Sequence, residues 1–154
     1  MWTEDDFEVM GWHDATVHAI ALDWDRAEAA NGGQGASLML DIDYIVSWIH
    51  TDGPYRFEVA PATIVFEDVW YLTGDLDATA GGPLQLLDLH RDTSDDPAAW
   101  DFDGVGFALE FRARSFRQHF RSQPIANGER QTLSSARRGG PSFATPIAFA
   151  PSGA

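Results

Sequence analysis

His13, Asp14 and His18 come nearest, in residue type and spacing, to a reactive constellation in this chain. Two imidazoles and a carboxylate, joined in space by Asp41 and Asp43 of the stretch DIDYIV, would form a mixed nitrogen and oxygen ligand set for a divalent cation. The same groups could supply the acid and base of a hydrolase. The spacing does not single this out: no HExxH is present, and His13 and His18 point to opposite faces of a regular strand. The plainer expectation is that Asp14 fixes a turn by bonding backbone N–H groups, while His13 is partly buried and hydrogen-bonded and Trp12 is structural.

Asp41 and Asp43 are the second candidate pair. DIDYIV after an apolar run resembles the first motif of haloacid dehalogenase-like phosphatases, which implies an aspartate nucleophile and a second aspartate as acid and base. That family also needs a turn after the second aspartate, a later lysine and a parallel sheet. Here Tyr44, Ile45 and Val46 continue the strand and the chain contains no Lys. Carboxylates at i and i+2 of a strand lie roughly 7 Å apart, within the separations of roughly 5 to 9.5 Å used for glycoside hydrolysis. Against it stands a solvated acidic face, the commoner arrangement. Trp24, Trp48 and Trp70 could be sugar platforms, but their strand faces are otherwise rich in Leu, Ile and Phe, so core packing is expected. GGQGA lacks the helix a phosphate loop requires, and no serine sits in a GxSxG context. No catalytic residue and no bound metal or cofactor is therefore expected.

Two absences narrow the chemistry further. Without Cys there is no thiolate catalysis, disulfide or Cys-ligated zinc, and a reducing compartment is permitted. Without Lys there is no Schiff-base amine or P-loop lysine. All ten basic residues are Arg, as in chains from GC-rich bacterial genomes. The net charge of −14 is unevenly placed: residues 1–110 carry −20 and residues 111–154 carry +6. Such an acidic body disfavours a nucleic-acid backbone and favours a basic protein partner. Arg112, Arg114, Arg117, Arg121, Arg130, Arg137 and Arg138 could lie across the acidic sheet of their own chain, in surface pairs worth roughly 0 to 1 kcal/mol each. No apolar run approaches the ~18 residues a membrane span needs, and the opening MWTEDDF is acidic where a secretory signal is basic. A cytoplasmic protein without membrane contact is expected, with room for a homodimer.

The elements that must position these residues read mostly as strands. In SLMLDIDYIVSWI, residues 37–49, the even positions are almost all apolar, which is the period of a strand with one face in the core. Asp41 and Asp43 then fall on an acidic outer face. Residues 15–24 alternate likewise and should pair with 37–49 across a loop at Asn31, Gly32 and Gly33. Thr3 followed by three acids could cap a short helix through about Met10. TDGP is a turn, YRFEVA a short strand ending near Pro61, and 62–72 a further strand or bent pair interrupted by Glu67 and Asp68. TAGGP turns the chain into PLQLLDLH, and Pro97 breaks a polar loop. GVGFALEFRAR places Phe107, Leu109 and Phe111 on one face, with Glu110, Arg112 and Arg114 on the other. SFRQHFR is either a helical turn or a prolonged strand. Short strands with little helix predict a mainly β (or α+β) fold, an antiparallel β-sandwich or curved sheet with one or two short helices. One domain over 1–121 is expected, followed by a turn-rich, Arg-containing segment over 122–154 that wraps the domain or frays.

Trp12, His13, Asp14, Ala15 and Val17 in WHDATV resemble the aromatic-His-Asp-Ala-x-Val strand entrance of small bacterial β-rich proteins. Some of these are assigned as immunity proteins of polymorphic toxin systems. A looser match of alternating strands extends to about residue 75, and the chain departs in DIDYIVSW and in its Arg-rich tail. The resemblance implies a β-rich, non-enzymatic inhibitor of a toxin domain and transfers no catalytic residue. The function expected is an acidic binding protein for a basic partner, with Asp41, Asp43, Glu67 and Asp68 as the contact surface. The alternatives are a metal- or carboxylate-dependent hydrolase using His13, Asp14 and His18 with Asp41 and Asp43, and a β-sandwich binding a small ligand in an aromatic pocket.

Overall fold

The structure is a computed structural model that describes residues 1–25, 35–77 and 82–146. The loop at Asn31, Gly32 and Gly33, the turn at 79–81 and the tail after 146 lie outside the described residues. Among the described residues, strong alternation of apolar and polar side chains produces nine strands: β1 (Trp2–Thr3), β2 (Ala15–Asp23), β3 (Ala36–Ile49), β4 (Arg56–Leu76), β5 (Leu84–Asp92), β6 (Ala99–Val105), β7 (Phe107–Arg112), β8 (Ser115–Phe120) and β9 (Ile125–Ala126). A 3-10 helix (Glu4–Val9) and a four-residue helix α1 (Ser135–Arg138) are added at the two ends.

The fold is mainly β, as the periodicity predicts. Every pairing is antiparallel, in the order β1-β8-β4-β3-β2-β5-β6-β7, with β9 beside β4 and β7 returning to pair with β4. The circuit β2-β3-β4-β7-β6-β5 thus closes on itself, so the curved sheet bends far enough to enclose its own core. β4 makes this possible. Its first part pairs with β3 through Val69, and its last part, from Trp70 to Leu76, pairs with β7. Between them Asp68 and Tyr71 take left-handed backbone conformations (φ 56° and 55°), and the β7 register shifts between Trp70 and Thr73. Extra residues of this kind bend a strand and increase its twist.

The expected break at Pro61 does not occur: residues 56–76 form one strand running through it. Pro61 lacks an N–H, and its carbonyl accepts from Arg121 N at 2.9 Å on the β8 side. Its missing donor therefore faces the interval between β8, which ends opposite Ala62, and β9, which pairs at Glu58 and Val59. A proline is tolerated where no ladder bond is needed.

Even-numbered residues of β3 and β4 point inward: Leu38, Leu40 and Ile42 face Phe66, Ile64 and Ala62, all fully buried. Phe66 is enclosed by Trp100, Phe102, Phe111 and Phe116, with ring centroids 4.8–5.6 Å away. Offset and edge-on aromatic pairs of this sort add about 0.5–1.5 kcal/mol each beyond the area they bury. SFRQHF is strand and not helix. Phe116 and Phe120, four positions apart, satisfy both periods, and pairing with Phe66 and Ala62 decides for the strand.

Three tryptophans depart from expectation. Trp24, Trp48 and Trp70 are 67%, 43% and 38% exposed and do not pack in the core; Trp12 and Trp100 do. Trp24 and Trp48 lie at the ends of β2 and β3, beyond the enclosed stretch, where alternation continues but the core does not, and Trp48 packs instead against Phe57, Tyr55 and His13.

Candidate functional site

The outer face of β3 overturns the expected acidic surface. Asp41 and Asp43 do point away from the barrel core, but both are fully buried, because residues 131–144 cross that face and seal it. Arg138 at the end of α1 bridges the two carboxylates. Its Nη1 and Nη2 donate to Asp41 at 3.0 and 2.6 Å, and its Nε donates to Asp43 Oδ1 at 3.1 Å. Arg121, just past β8, adds an ion pair to Asp41 Oδ1 at 2.7 Å. Backbone N–H groups of Leu133 and Ser142 donate to Asp43 and Asp41 at 2.8 and 2.9 Å. His18 Nε2 donates to Asp43 Oδ2 at 3.0 Å.

Local sequence explains why Arg138 arrives there. SARR makes one helical turn, and Gly139 and Gly140 follow at φ 82° and 80°, a conformation costly for residues with a Cβ. They fold the chain back so that the Gly140 carbonyl accepts from Arg138 Nη1 at 2.8 Å and Ser142 reaches Asp41. The strap is fixed elsewhere by Thr16 to Thr132 (2.6 Å), Gln131 to Asp14 (2.8 Å) and Thr63 to the Ala144 carbonyl (2.8 Å). Leu133 also fills a small apolar cluster with Ile45, Phe57 and Val59.

The electrostatics follow from this geometry. Burial raises the Asp43 carboxyl, but the hydrogen bonds from His18 and Leu133 and the charges of His18 and Arg138 outweigh it and hold the group below the ordinary 3.8. Burial alone would lower the Arg138 guanidinium, whereas its bonds and attraction to Asp41 and Asp43 raise it above its ordinary value. The arrangement is a neutralised internal clasp.

Glu67 and Asp68 are buried too. Glu67 accepts from Arg117 at 3.0 Å and Ser115 at 3.2 Å, and Asp68 accepts from Arg114 at 2.8 Å and Trp70 at 3.2 Å. The expectation that Asp41, Asp43, Glu67 and Asp68 form an exposed contact surface fails for one reason: the C-terminal arginines reach their own sheet. The hydrolase constellation is not assembled either. His13 is exposed, not partly buried, 3.8 Å from Asp14 and stacked near Trp48, while His18 and both aspartates are engaged in the clasp. Asp14 stands in the turn, at φ 64°, but its carboxylate accepts from the side chain of Gln131 in the strap, not from the backbone N–H groups expected. Trp12 is buried, its Nε1 donating to Gln118 at 2.9 Å. Among the described residues no group of three or more His, Asp or Glu is placed to hold a metal ion, and no helix is long and apolar enough to cross a membrane.

The exposed acidic surface lies on the opposite wall, on β5, β6, β7 and the end of β4. Strand registers align His90, Asp101, Glu110 and Thr73 in one row and Asp88, Asp103, Ala108 and Asp75 in the next. All these side chains are exposed. Among the described residues Asp75, Asp101, Asp103 and Glu110 have no ion-pair partner. Asp92 belongs to the same face. The Ser94 N–H on its carboxylate, at 2.8 Å, holds it below the ordinary value. Sequence reasoning missed this wall because β6, AWDFDGV, was not read as a strand. Its alternation of Trp100 and Phe102 with Asp101 and Asp103 was the available signal.

Two hollows flank Tyr71. One, of about 460 Å³, lies over the acidic rows and is lined by Tyr71, Thr73, His90, Asp101 and Glu110 among others. The other, of about 470 Å³, is apolar and lined by Leu22, Trp24, Val69, Trp70, Tyr71 and Leu72. No family model, curated protein or solved structure matches this chain.

Proposed function

We propose that this protein is a non-enzymatic binding protein for a cationic protein partner, of the kind that neutralises a basic toxin domain by covering it. The observation that carries the reading is the wall of β5, β6 and β7, where Asp75, Asp101, Asp103 and Glu110 stand exposed and without internal counter-charge among the described residues. Like charges opposite one another across strands are unfavourable in isolation. A positively charged surface relieves them and is attracted over distance at low ionic strength. The carboxylates that suggested hydrolysis, Asp41 and Asp43, are bound by arginines and are not free to act on a substrate.

The test is the affinity of a basic protein recovered on the immobilised full chain from an extract of its native host. It is measured against salt for the parent and for Asp101→Lys/Asp103→Lys/Glu110→Lys. The expected result is binding that weakens steeply between low and high salt and is lost in the triple variant, with protection of growth when the partner is a toxin. Binding indifferent to both salt and charge reversal overturns the proposal. A second reading, a small apolar ligand, is favoured by the groove holding Trp24 and Trp70. It requires a ligand-dependent change in their fluorescence.

A further inference from the structure

We infer that Asn127, at the root of the strap, is a site of self-modification: its side-chain amide converts to an acid when the strap lifts, and the conversion holds the strap open. Both asparagines of the chain are followed by Gly, at Asn31–Gly32 and Asn127–Gly128, and only the second pair lies within the described residues. The amide carbon of an asparagine stands within reach of the next residue's backbone nitrogen. That nitrogen, once deprotonated by solvent base, bonds to Cγ. The Cγ–Nδ2 bond breaks, and Nδ2 leaves as ammonia after taking a proton from water. Water then opens the cyclic imide at either carbonyl, giving aspartate or its β-linked isomer. The balance is amide plus water to acid plus ammonia. A following glycine permits the attack because it has no side chain to obstruct it. Gly128 is exposed at φ 61°, with no atom within 4 Å of where a Cβ would stand, and its N–H makes no hydrogen bond among the described residues.

With the strap closed, the groups that must turn are tied. Asn127 Nδ2 donates to the carbonyls of Arg130 and Thr132 at 2.7 and 3.0 Å, and its Oδ1 accepts from Arg137 Nη1 at 2.6 Å. Its main chain is held on both sides, by its N–H to the Phe57 carbonyl at 2.9 Å and by the Arg130 N–H to its own carbonyl at 3.3 Å. Thr132 and Arg137 belong to the strap, so lifting the strap frees the amide. Conversion does not reverse, and it alters the anchor. An aspartate has no N–H to offer the Arg130 and Thr132 carbonyls and turns a negative charge toward two acceptors. Thr132 also bonds Thr16, and the N–H of the next residue, Leu133, donates to Asp43. The mismatch therefore falls where the strap joins the sheet. The β-linked isomer adds a carbon to the main chain, which breaks the paired bonds that residues 127 and 128 make with Phe57.

The experiment incubates the full-length protein, folded, in mildly alkaline buffer and follows the tryptic peptide 122–130 by mass spectrometry for the mass gain of an amide turned to an acid. Cleavage after Arg121 and Arg130 separates this peptide from Asn31. Conversion should be slow in the parent, several-fold faster in Arg137→Ala, which removes the bond to Asn127 Oδ1, and faster again in Arg138→Ala, which undoes the clasp. Gly128→Ala should slow it in each background. Arg137 is exposed, so its variant decides the matter should Arg138→Ala fail to fold. Equal rates in the parent and Arg137→Ala overturn the strap's control of the site. Hydrogen exchange reads the other half of the proposal: in Asn127→Asp the N–H groups of Leu133 and Ser142 should exchange several-fold faster than in the parent. Unchanged exchange there overturns the claim that conversion holds the strap open.

Discussion

Arg138 and Asp41 meet through two hydrogen bonds, 2.6 and 3.0 Å long, across 97 positions of the chain. The pair is removed from water, and Asp43 shares the same guanidinium. An ion pair in such a place is a weak source of net stability compared with an apolar packing. Loss of one member is nevertheless expensive, because the other charge stays behind without its partner. The function of the DID stretch is thus to receive the C-terminal segment, and its acidity is spent inside the molecule.

Arg138→Ala should therefore lower the free energy of unfolding by roughly 3–5 kcal/mol, measured by urea denaturation with unchanged m-value. Arg130→Ala, in the same segment but without an ion pair among the described residues, should cost within about 0.5 kcal/mol. Equal effects would show that Arg138 does not occupy the clasp.

The acid limb of stability should depend on Asp43. Its folded-state pKa is depressed below 3.8, so its contribution is fully present above the unfolded-state value. It is lost as pH falls through the lower, folded-state value. Stability should drop as pH falls below about 4, and Asp43→Asn should flatten that limb while lowering stability at neutral pH. An Asp43→Asn profile parallel to the parent's at all pH values contradicts the assignment.

Hydrogen exchange tests the strap directly. The N–H groups of Leu133 and Ser142, which donate to Asp43 and Asp41, should exchange far more slowly than that of Glu129, and Arg138→Ala should release both together. Fast exchange in the parent protein would mean that the strap does not rest on the sheet.

Closure of the barrel has its own weak point. A Cβ at Gly74 would lie 2.1 Å from the Ala108 carbonyl oxygen and 2.8 Å from the Leu109 side chain. Gly74→Ala should force β4 and β7 apart and cost roughly 1–3 kcal/mol, seen as a lowered Tm. Gly11→Ala, where no atom lies within 4 Å, is the matched control.

Period-two alternation was enough to place β2, β3 and β7, and with them the mainly β fold, because those strands bury one face and leave polar residues on the other. The same signal could not distinguish an outer face open to water from one covered by a distant segment. Asp41 in an exposed row and Asp41 beneath Arg138 read alike. The excess of positive charge after residue 110 was the visible hint, and the possibility that those arginines cross their own sheet was legible from it. Their burial was not, since it depends on Gly139 and Gly140 aiming one side chain. β6 escaped notice because Gly104 and the aspartates around Phe102 depress strand propensity. Its partners β5 and β7 override that preference through pairing. Continuity through Pro61 likewise depends on which neighbour faces its missing N–H.

The clasp also imposes a sequence of events in time. A chain made from its N-terminus produces Asp41 and Asp43 long before Arg121 and Arg138 exist. β2, β3 and β4 can zip together early only with those two carboxylates still hydrated, and drying that face must wait for the strap. In refolding, core tryptophan signals from Trp12 and Trp100 should accordingly recover before protection at Leu133 and Ser142 does. A single shared rate for all four would show that sheet and strap assemble in one step.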